Sequence, residues 1–367
     1  MATSVSYDTR AIAAAFTLQG DYVSAEPYGS GHINDTFALE MSQGGCRLRY
    51  VLQRINHHIF KNPDGLMENV ERVCRHTQAK LQAAGAADAS RRALTLVPTK
   101  AGRGWHTDPA GNRWRCYVFV EGATGHDIIR NADQAYQAAK AFGAFQALVA
   151  DLPGGRLVET IPHFHHTPTR FANFQAALAK DAHGRAAQAL PEIAFALARA
   201  HEVGVIADAM ARGDIPERVT HNDTKLNNVL LDNATQEGIC VIDLDTVMPG
   251  SALYDFGDLV RTSTSPAAED ETDLSKVTMQ LPMFEALVKG YLTTAGGFLT
   301  ARERELLPFA GKLITFEIGL RFLTDWLDGD VYFKIKNPQH NLDRLRTQFK
   351  LVESIEAQLP AMQALVQ

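Results

Sequence analysis

The residues with the clearest chemical potential stand beside a predicted β-hairpin. The apolar stretches 229–232 and 239–242 are separated by six turn-forming residues, a pattern typical of two antiparallel strands joined by a turn. Antiparallel pairing brings the start of the first strand beside the end of the second. We therefore expect Asn228 to lie next to Asp243, with Asp245 two residues further on.

An amide oxygen and two carboxylates in one place are hard ligands that suit Mg²⁺. Asn228, Asp243 and Asp245 are therefore the predicted metal ligands. Asp223, five residues before Asn228, is expected to meet a substrate hydroxyl beside the metal. The spacing His-x-Asp-x₄-Asn, then a hairpin, then Asp is that of a kinase catalytic loop and its metal-binding aspartate. The alternative is an ordinary hairpin whose Asn and Asp residues only form turns.

Beyond this spacing, the chain resembles the aminoglycoside phosphotransferase and choline kinase superfamily, whose fold is protein-kinase-like. The resemblance extends over nearly the whole chain and is stronger for the bacterial N-acetylhexosamine 1-kinases. It is carried by Pro27–Asn34, Thr220–Asn228, Ile242–Thr246 with Met248–Ser251, and Gly329–Phe333. It implies that Asp223 is the base facing a sugar hydroxyl and that Asn228 and Asp243 hold Mg²⁺.

A glycine-bearing turn near the N-terminus predicts the nucleotide-phosphate site. Gly29, Ser30 and Gly31 stand between two strand-like runs, without the following helix that a P-loop or a Rossmann fingerprint requires. Glycines at a hairpin tip can bring backbone N–H groups close to phosphates, as in the glycine-rich loop of kinases. A Gly-Ser-Gly hairpin turn usually has no ligand, but the kinase-like spacing of Asp223, Asn228 and Asp243 favours the phosphate-binding interpretation.

The third predicted strand lacks the lysine that kinases use to contact the α- and β-phosphates. Gln53 occupies that position, and its amide can donate hydrogen bonds to phosphate oxygens but supplies no charge. The following helix carries Glu68 and Glu71, of which we favour Glu71 as the kinase helix glutamate. Arg72 or Lys61 could supply the missing cation, and the sequence leaves the choice open.

The segment 313–327 is apolar nearly all round and predicts a buried helix, yet Glu317, Arg321 and Asp325 recur along it every four residues. These charges form either a structural ladder or one side of a polar ligand site. The resemblance implies that Arg321 and Tyr332 contact the acetamido sugar.

Two further residues are implied on the sugar side, and two other polar features are predicted to be structural. The resemblance assigns His32 and Asn34, which follow the glycine turn, to the sugar. Asp258 is expected to cap or anchor a helix. The histidines of segment 163–166 lack accompanying acids or cysteines at ligand spacing, which favours a structural loop over a metal site.

Periodicity predicts an α+β, bilobal fold with a five-stranded antiparallel sheet plus helix in residues 1–122 and a larger, mainly helical lobe in residues 123–367. The predicted strands are 21–28, 33–41, 47–54, 94–99 and 113–120, and the predicted helices are 65–84, 135–149, 176–183, 191–210, 253–262, 279–294, 303–327 and 341–359.

Composition restricts the class of protein. The chain has 367 residues, 36 Lys and Arg against 42 Asp and Glu, and a formal charge of −6, which argues against nucleic acid or an anionic membrane as a partner. Four widely spaced cysteines indicate reduced thiols and not a disulfide or zinc framework. No secretory signal or membrane span is visible, so we expect a cytoplasmic monomer or weak homo-oligomer.

These features predict an ATP- and Mg²⁺-dependent kinase, and the resemblance implies that it phosphorylates the anomeric hydroxyl of an N-acetylhexosamine. A kinase of another alcohol, such as an aminoglycoside, choline, homoserine or a different sugar, is one alternative. A nucleotide-binding pseudokinase, suggested by Gln53, is the other.

Overall fold

The computed structural model describes residues 7–29, 31 and 33–367, which divide into two compact units. The first unit contains the chain up to Ala123, Asp151–Ile161 and Ile239–Met248, and the second contains Thr124–Ala150, Pro162–Gly238 and Pro249–Gln367. The predicted division at residue 122 did not place the two later segments in the first unit.

An antiparallel five-stranded sheet dominates the first unit, with strand order β1-β2-β3-β5-β4. Apolar side chains from the sheet and the N-terminal segment, including Phe16, Leu39, Leu52 and Trp114, form its core. The elements are α1 (Thr9–Ala13), β1 (Asp21–Pro27), β2 (Asp35–Gln43), β3 (Cys46–Ile55), α2 (Pro63–Ala83), α3 (Ala89–Arg92), β4 (Trp105–Thr107) and β5 (Arg113–Val118).

One predicted strand is wrong. Residues 94–99 form only two isolated bridges, from Leu96 to Tyr117 and from Thr99 to Phe16. Pro98 has no backbone N–H to donate to a ladder, and its carbonyl instead accepts from Thr17 N at 2.9 Å. The edge of the sheet is formed by the short strand β4, which the sequence pattern did not predict.

Asn69 explains why the two later segments belong to the first unit. It is fully buried in α2, and its amide nitrogen donates to Val158 O at 2.7 Å and to Val247 O at 3.0 Å. Its amide oxygen accepts from Val158 N at 3.0 Å. One side chain thus pairs backbone groups of both segments, a long-range role that periodicity does not reveal.

The rest of the chain is mainly helical. Its short strands are β6 (Ala123–Gly125), β7 (Arg218–Thr220), β8 (Val229–Asp232), β9 (Gly238–Val241) and β10 (Met248–Gly250). Its α-helices are α4 (Ala132–Val149), α5 (Thr167–Lys180), α6 (Leu190–Ala198), α7 (Val205–Arg212), α8 (Ala252–Ser263), α9 (Leu281–Ala295), α10 (Ala301–Leu327) and α11 (His340–Ala364).

Most of these helices were predicted, with two differences. The predicted helix 191–210 is two helices, α6 and α7, separated by a short 3₁₀ turn and Gly204. The predicted helix 176–183 is the end of the longer α5, which begins at Thr167 after His166 accepts a hydrogen bond from Thr169 N. Both strands of the predicted hairpin are present, as β8 and β9, and Asp232 N donates to Glu237 O at 2.9 Å in the turn that follows β8.

Among the described residues, 7–29, 31 and 33–367, none of the helices combines the length and the apolar character needed to cross a membrane.

Candidate active site

In the second unit, Asp223 lies on the loop that joins β7 to β8 and is partly exposed. Asn228 Nδ2 donates to Asp223 Oδ2 at 3.0 Å and to the Asp223 carbonyl at 2.8 Å. Lys225 Nζ lies 3.1 Å from Asp223 Oδ1, and attraction to this carboxylate is the main reason that the pKa of Lys225 is raised. The loop therefore gathers an acid, an amide and an ammonium group.

The backbone of this loop is held by a buried carboxylate from α8. Asp255 is fully buried, and it accepts from His221 N at 2.9 Å and from Asn222 N at 2.7 Å. Gln146 Nε2 from α4 donates to the same carboxylate at 2.6 Å. Burial raises the pKa of Asp255, and these donors oppose that shift by stabilising the ionised form. Sequence analysis did not identify Asp255.

A second carboxylate of α8 continues this arrangement. Asp258 Oδ2 accepts from Thr224 N at 2.9 Å, and Arg261 Nε donates to Asp258 Oδ1 at 2.8 Å. Burial raises the pKa of Asp258, but Arg261, His165 and Lys225 together outweigh burial and leave the pKa lowered. The sequence suggested that Asp258 caps or anchors a helix. Ser251 caps α8 instead, and Asp258 anchors the loop that carries Asp223.

The loop needs this support because its backbone is unusual. Asn222 has φ +65°, in the left-handed region that Asn tolerates better than most side chains. His221 is fully buried, with its ring packed edge-on against Phe142 and Phe145. Asp223 N donates to His221 Nδ1 at 3.3 Å. These contacts define the backbone on both sides of the Asp223 side chain.

The remaining predicted acids belong to the first unit. Asp243 is exposed and has φ +59°. Asp245 is buried, its Oδ2 accepts from Asn34 Nδ2 at 2.6 Å, and its Oδ1 forms an ion pair with Arg115. Asn34 Oδ1 also accepts from Asn56 N at 2.9 Å, so both ends of the Asn34 amide are engaged. The metal role of Asp245 and the sugar role of Asn34 stay predictions.

Arg115 is a buried cation beside Gln53 that the sequence analysis did not identify. It lies on β5 directly opposite Gln53 on β3, and it is 1% exposed. Its Nε and Nη2 donate to Gln53 Oε1 at 2.8 and 2.5 Å, and Gln53 Nε2 donates to Thr36 Oγ1 at 2.8 Å. Burial lowers the pKa of Arg115, but the surrounding acidic groups, Asp245 first, together outweigh burial, and the pKa is raised.

The two cations proposed from sequence have other positions. Arg72 Nη2 donates to Pro153 O at 2.8 Å and to Gly155 O at 2.7 Å, and Lys61 is exposed. Glu71 Oε1 accepts from Gly104 N at 2.5 Å, a backbone contact where the kinase pattern has a lysine partner. Its nucleotide role stays a prediction.

The glycine turn joins β1 to β2, as predicted. Gly29 has φ +85°, a conformation that favours glycine, and a Cβ atom at Gly29 or Gly31 would meet nothing within 4 Å. Tyr28 N donates to Thr36 O at 2.9 Å at the base of the turn. Ser30 and His32, predicted for phosphate and sugar, lie outside the described residues.

A cavity of about 270 Å³ lies within the second unit. Arg321 in α10 lines it, with its guanidinium carbon 5.4 to 5.7 Å from the ring centroids of Phe164, Tyr332 and Phe333. In the described part of the chain Arg321 has no hydrogen-bond or ion-pair partner. Arg170 lines the same cavity, and burial, followed by the like charge of Arg321, lowers the pKa of Arg170.

Asp325 positions the segment that carries Tyr332. Its Oδ1 accepts from Val331 N at 2.9 Å and Tyr332 N at 2.7 Å, and its Oδ2 accepts from Phe333 N at 3.0 Å. Asn341 Nδ2 donates to Oδ2 at 2.8 Å. The stripe of charges seen in the sequence is therefore not a salt-bridge ladder, since Asp325 binds backbone N–H groups.

The sequence profile of the Phosphotransferase enzyme family matches residues 24–306, more than half of the chain. The chain belongs to this phosphotransferase family. The match includes the glycine turn, Gln53, Arg115 and the whole catalytic loop.

Solved structures share the fold of this phosphotransferase. It is similar to an aminoglycoside phosphotransferase from Alicyclobacillus acidocaldarius (14% identity, 99% of this chain and 98% of that chain covered, TM-score 0.60). It is also similar to a spectinomycin phosphotransferase in complex with ADP and spectinomycin (12% identity, 94% of each chain covered, TM-score 0.54). A third similar structure is choline kinase from Cryptosporidium parvum (13% identity, 94% of this chain and 91% of that chain covered, TM-score 0.52). The prediction of a protein-kinase-like α+β fold is confirmed.

The phosphotransferase loop should depend on the charge of Asp255. Asp255→Asn replaces one acceptor oxygen by an N–H₂ group that faces backbone donors, so buried N–H groups lose their partner. We expect the free energy of unfolding in urea to fall by about 1–3 kcal/mol and kcat to fall with it. Asp133→Asn, an exposed acid in the first turn of α4, is the matched control and should change stability by less than about 1 kcal/mol. Wild-type stability and turnover in Asp255→Asn would contradict this role.

Arg115→Met should be strongly destabilising because it leaves Asp245 buried without a counter-charge. We expect a loss of about 3–5 kcal/mol in urea unfolding. Arg115→Met combined with Asp245→Asn should lose less than the sum of the single variants, because the two groups interact directly.

Arg92→Met serves as the control for Arg115, since Arg92 pairs with Asp88 near the surface and should cost less than about 1 kcal/mol. Arg115→Lys keeps the charge but cannot bind Gln53 and Asp245 together, so it should raise KM for ATP more than KM for the acceptor. Equal stabilities of Arg115→Met and Arg92→Met would refute the ion pair's importance.

Proposed function

We propose that this phosphotransferase transfers the γ-phosphoryl group of ATP to the anomeric hydroxyl of an N-acetylhexosamine, N-acetylglucosamine or N-acetylgalactosamine. The family supplies the reaction type, and the sequence resemblance supplies the acceptor class. The observation that carries the acceptor proposal is the cavity lined by Arg170 and Arg321 in the second unit.

The charge of this cavity favours an uncharged, oxygen-rich acceptor over a cationic one. The Asp325 carboxylate already binds three backbone N–H groups and Asn341, so it offers little to an ammonium group. The guanidinium of Arg321 keeps its N–H donors available while its face rests on aromatic rings. Amide and hydroxyl oxygens match such donors. Asp328 also lines the cavity, so two guanidinium groups face one carboxylate besides Asp325. A choline or aminoglycoside cation would therefore meet a net positive charge.

On the chemical side, Asp223 accepts the proton of the attacking hydroxyl, since its carboxylate is partly exposed at the centre of the loop. Asn228 keeps this carboxylate in place through Nδ2, and Lys225 supplies positive charge for the transferring phosphoryl group. The family resemblance adds the glycine turn as the contact to the nucleotide phosphates.

The residues predicted to hold Mg²⁺ fit a hard cation. Asn228 uses Nδ2 for both of its hydrogen bonds to Asp223, which leaves its Oδ1 as a potential ligand. Asp243 offers an exposed carboxylate. When bound there, Mg²⁺ would neutralise charge on the phosphate oxygens. Asp245 has a guanidinium and an amide as partners, which favours Asn228 and Asp243 as the ligands.

Arg115 and Gln53 take the place of the absent lysine in this proposal. Because Arg115 occupies Gln53 Oε1, the amide nitrogen of Gln53 is fixed as the donor end. The positive charge lies behind it, buried and paired with Asp245. This arrangement supports an active kinase over a pseudokinase, since the cation is displaced along the sheet and not lost.

The proposal predicts a specific order of acceptors in an ADP-release assay with ATP and Mg²⁺. N-acetylglucosamine and N-acetylgalactosamine should react fastest, glucose more slowly, and glucosamine, choline and kanamycin least, because Arg170 and Arg321 leave the cavity with a net positive charge once Asp325 is engaged by backbone N–H groups. The series acetamido, hydroxyl and ammonium at C2 isolates the charge effect on one ring. Heteronuclear NMR of the product should place the phosphate on the anomeric carbon.

Two results would overturn this assignment. One is a preference for choline or kanamycin, and the other is a phosphate on any carbon except the anomeric one. Arg321→Lys serves as an internal check, because it should raise KM for the sugar while leaving KM for ATP near the wild-type value.

A further inference from the structure

His165 joins the catalytic loop to the helix that lines the acceptor cavity. Its Nδ1 lies 2.8 Å from Glu317 Oε1 in α10, and its Nε2 lies 3.0 Å from the carbonyl oxygen of Asn222. Both side chains are buried, with exposures of 3% and 0%. Asn222 immediately precedes Asp223, so the imidazole contacts the backbone next to the proposed base.

The partners of His165 determine its charge. A backbone carbonyl can only accept a hydrogen bond, and an ionised carboxylate can also only accept. Glu317 Oε2 in addition accepts from Thr167 Oγ1 at 2.6 Å, as expected of a carboxylate. A neutral imidazole has one N–H and cannot donate to both partners. With Glu317 ionised, only the imidazolium satisfies Asn222 and Glu317 together.

The surroundings agree with a positive charge. Burial lowers the pKa of His165, but Glu317 and then Asp258 outweigh it, so that the pKa is raised. Burial raises the pKa of Glu317, but His165, Thr167 and Arg170 together outweigh burial, and the pKa is lowered. Asp258 and the Tyr254 ring come from α8, and Arg170 in α5 also acts on Glu317.

We propose that His165, as an imidazolium, is a positioning residue that holds the Asn222 carbonyl and so fixes Asp223 relative to α10. The inference rests on the proposed phosphoryl transfer by Asp223 but not on the identity of the sugar. It accounts for an Asn in the left-handed conformation and for a buried glutamate on the helix of Arg321. It also gives the histidine segment 163–166 a defined role at His165.

The charge makes this role dependent on pH. Because the pKa of His165 is raised, the imidazolium and both of its bonds persist below that value. As the pH rises through it, one proton is lost and either Glu317 or Asn222 loses its donor. Turnover should therefore decline on the alkaline side of the profile, and the contribution of the pair to stability should be lost over the same pH range.

Two variants separate positioning from simple structural support. His165→Gln keeps a neutral donor for one partner, so kcat should fall by about tenfold or more while KM for ATP is unchanged, and the alkaline decline due to His165 should disappear. Glu317→Gln keeps the shape but removes the negative charge, so the alkaline decline should move about 1–3 pH units lower. His201→Gln, whose side chain is 76% exposed, should leave the profile unchanged.

A measurement without substrate distinguishes this inference from the proposed function. In ¹⁵N NMR of the full protein, the His165 ring is identified by its absence in His165→Gln, and both ring nitrogens should be protonated at neutral pH. A neutral ring, or an alkaline decline that is identical in wild type, His165→Gln and Glu317→Gln, would overturn the inference. Failure of N-acetylhexosamines as acceptors would overturn only the proposed function, since the profiles can be recorded with any accepted alcohol.

Discussion

Two buried carboxylates of α8 bind the backbone of the loop that carries Asp223, and the proposed active site depends on that contact. A loop with a residue at φ +65° cannot satisfy its N–H groups through a regular strand or helix. Asp255 and Asp258 accept from the N–H groups of His221, Asn222 and Thr224 instead. Buried carboxylates are costly unless paired, so each also binds a side-chain donor, Gln146 or Arg261. The same contacts that satisfy the acids define the loop.

In each unit a buried, charged side chain binds a group that is proposed to contact a ligand or to lie next to one that does. In the first unit Arg115 binds Gln53 and Asp245. In the second, His165 binds Glu317 and the carbonyl beside Asp223. Breaking either buried pair leaves an uncompensated charge, whereas an exposed pair contributes little. Such pairs hold their side chains in one position, because an unpaired charge in a medium of low dielectric constant costs much free energy.

Local pattern predicted the parts of the molecule that local chemistry determines. The alternating strands β1, β2, β3 and β5, the long helices and the glycine turn follow from period, turn formers and caps. The kinase-like spacing predicted that Asp223 lies on the loop leading to Asn228, and the hydrogen bond between the two side chains is an observation of the structure. The predicted neighbourhood of Asn228 and Asp243 stays a prediction.

The parts that depend on distant partners could not be predicted from one sequence. Arg115 is recognised only through the register that pairs it with Gln53 across β3 and β5. Asp255 and His165 acquire meaning only once α8 and α10 are packed beside the loop. Segment 94–99 is a strand that was predicted but is not formed. Its β-forming residues make only isolated bridges, because Pro98 has no backbone N–H to donate to a neighbouring strand. A charged residue on an otherwise buried strand is the signal that would have identified Arg115.

The turnover of Asp223→Asn is the most direct test of the central claim, that the clamped loop presents Asp223 as the base for the acceptor hydroxyl. The substitution keeps the size of the side chain and an oxygen for Asn228, but it removes the proton acceptor. With ATP, Mg²⁺ and the preferred acceptor at saturation, kcat should fall by about 10²–10⁴-fold while both KM values change little. Turnover close to that of the wild type would show that Asp223 is not the base and would contradict the account.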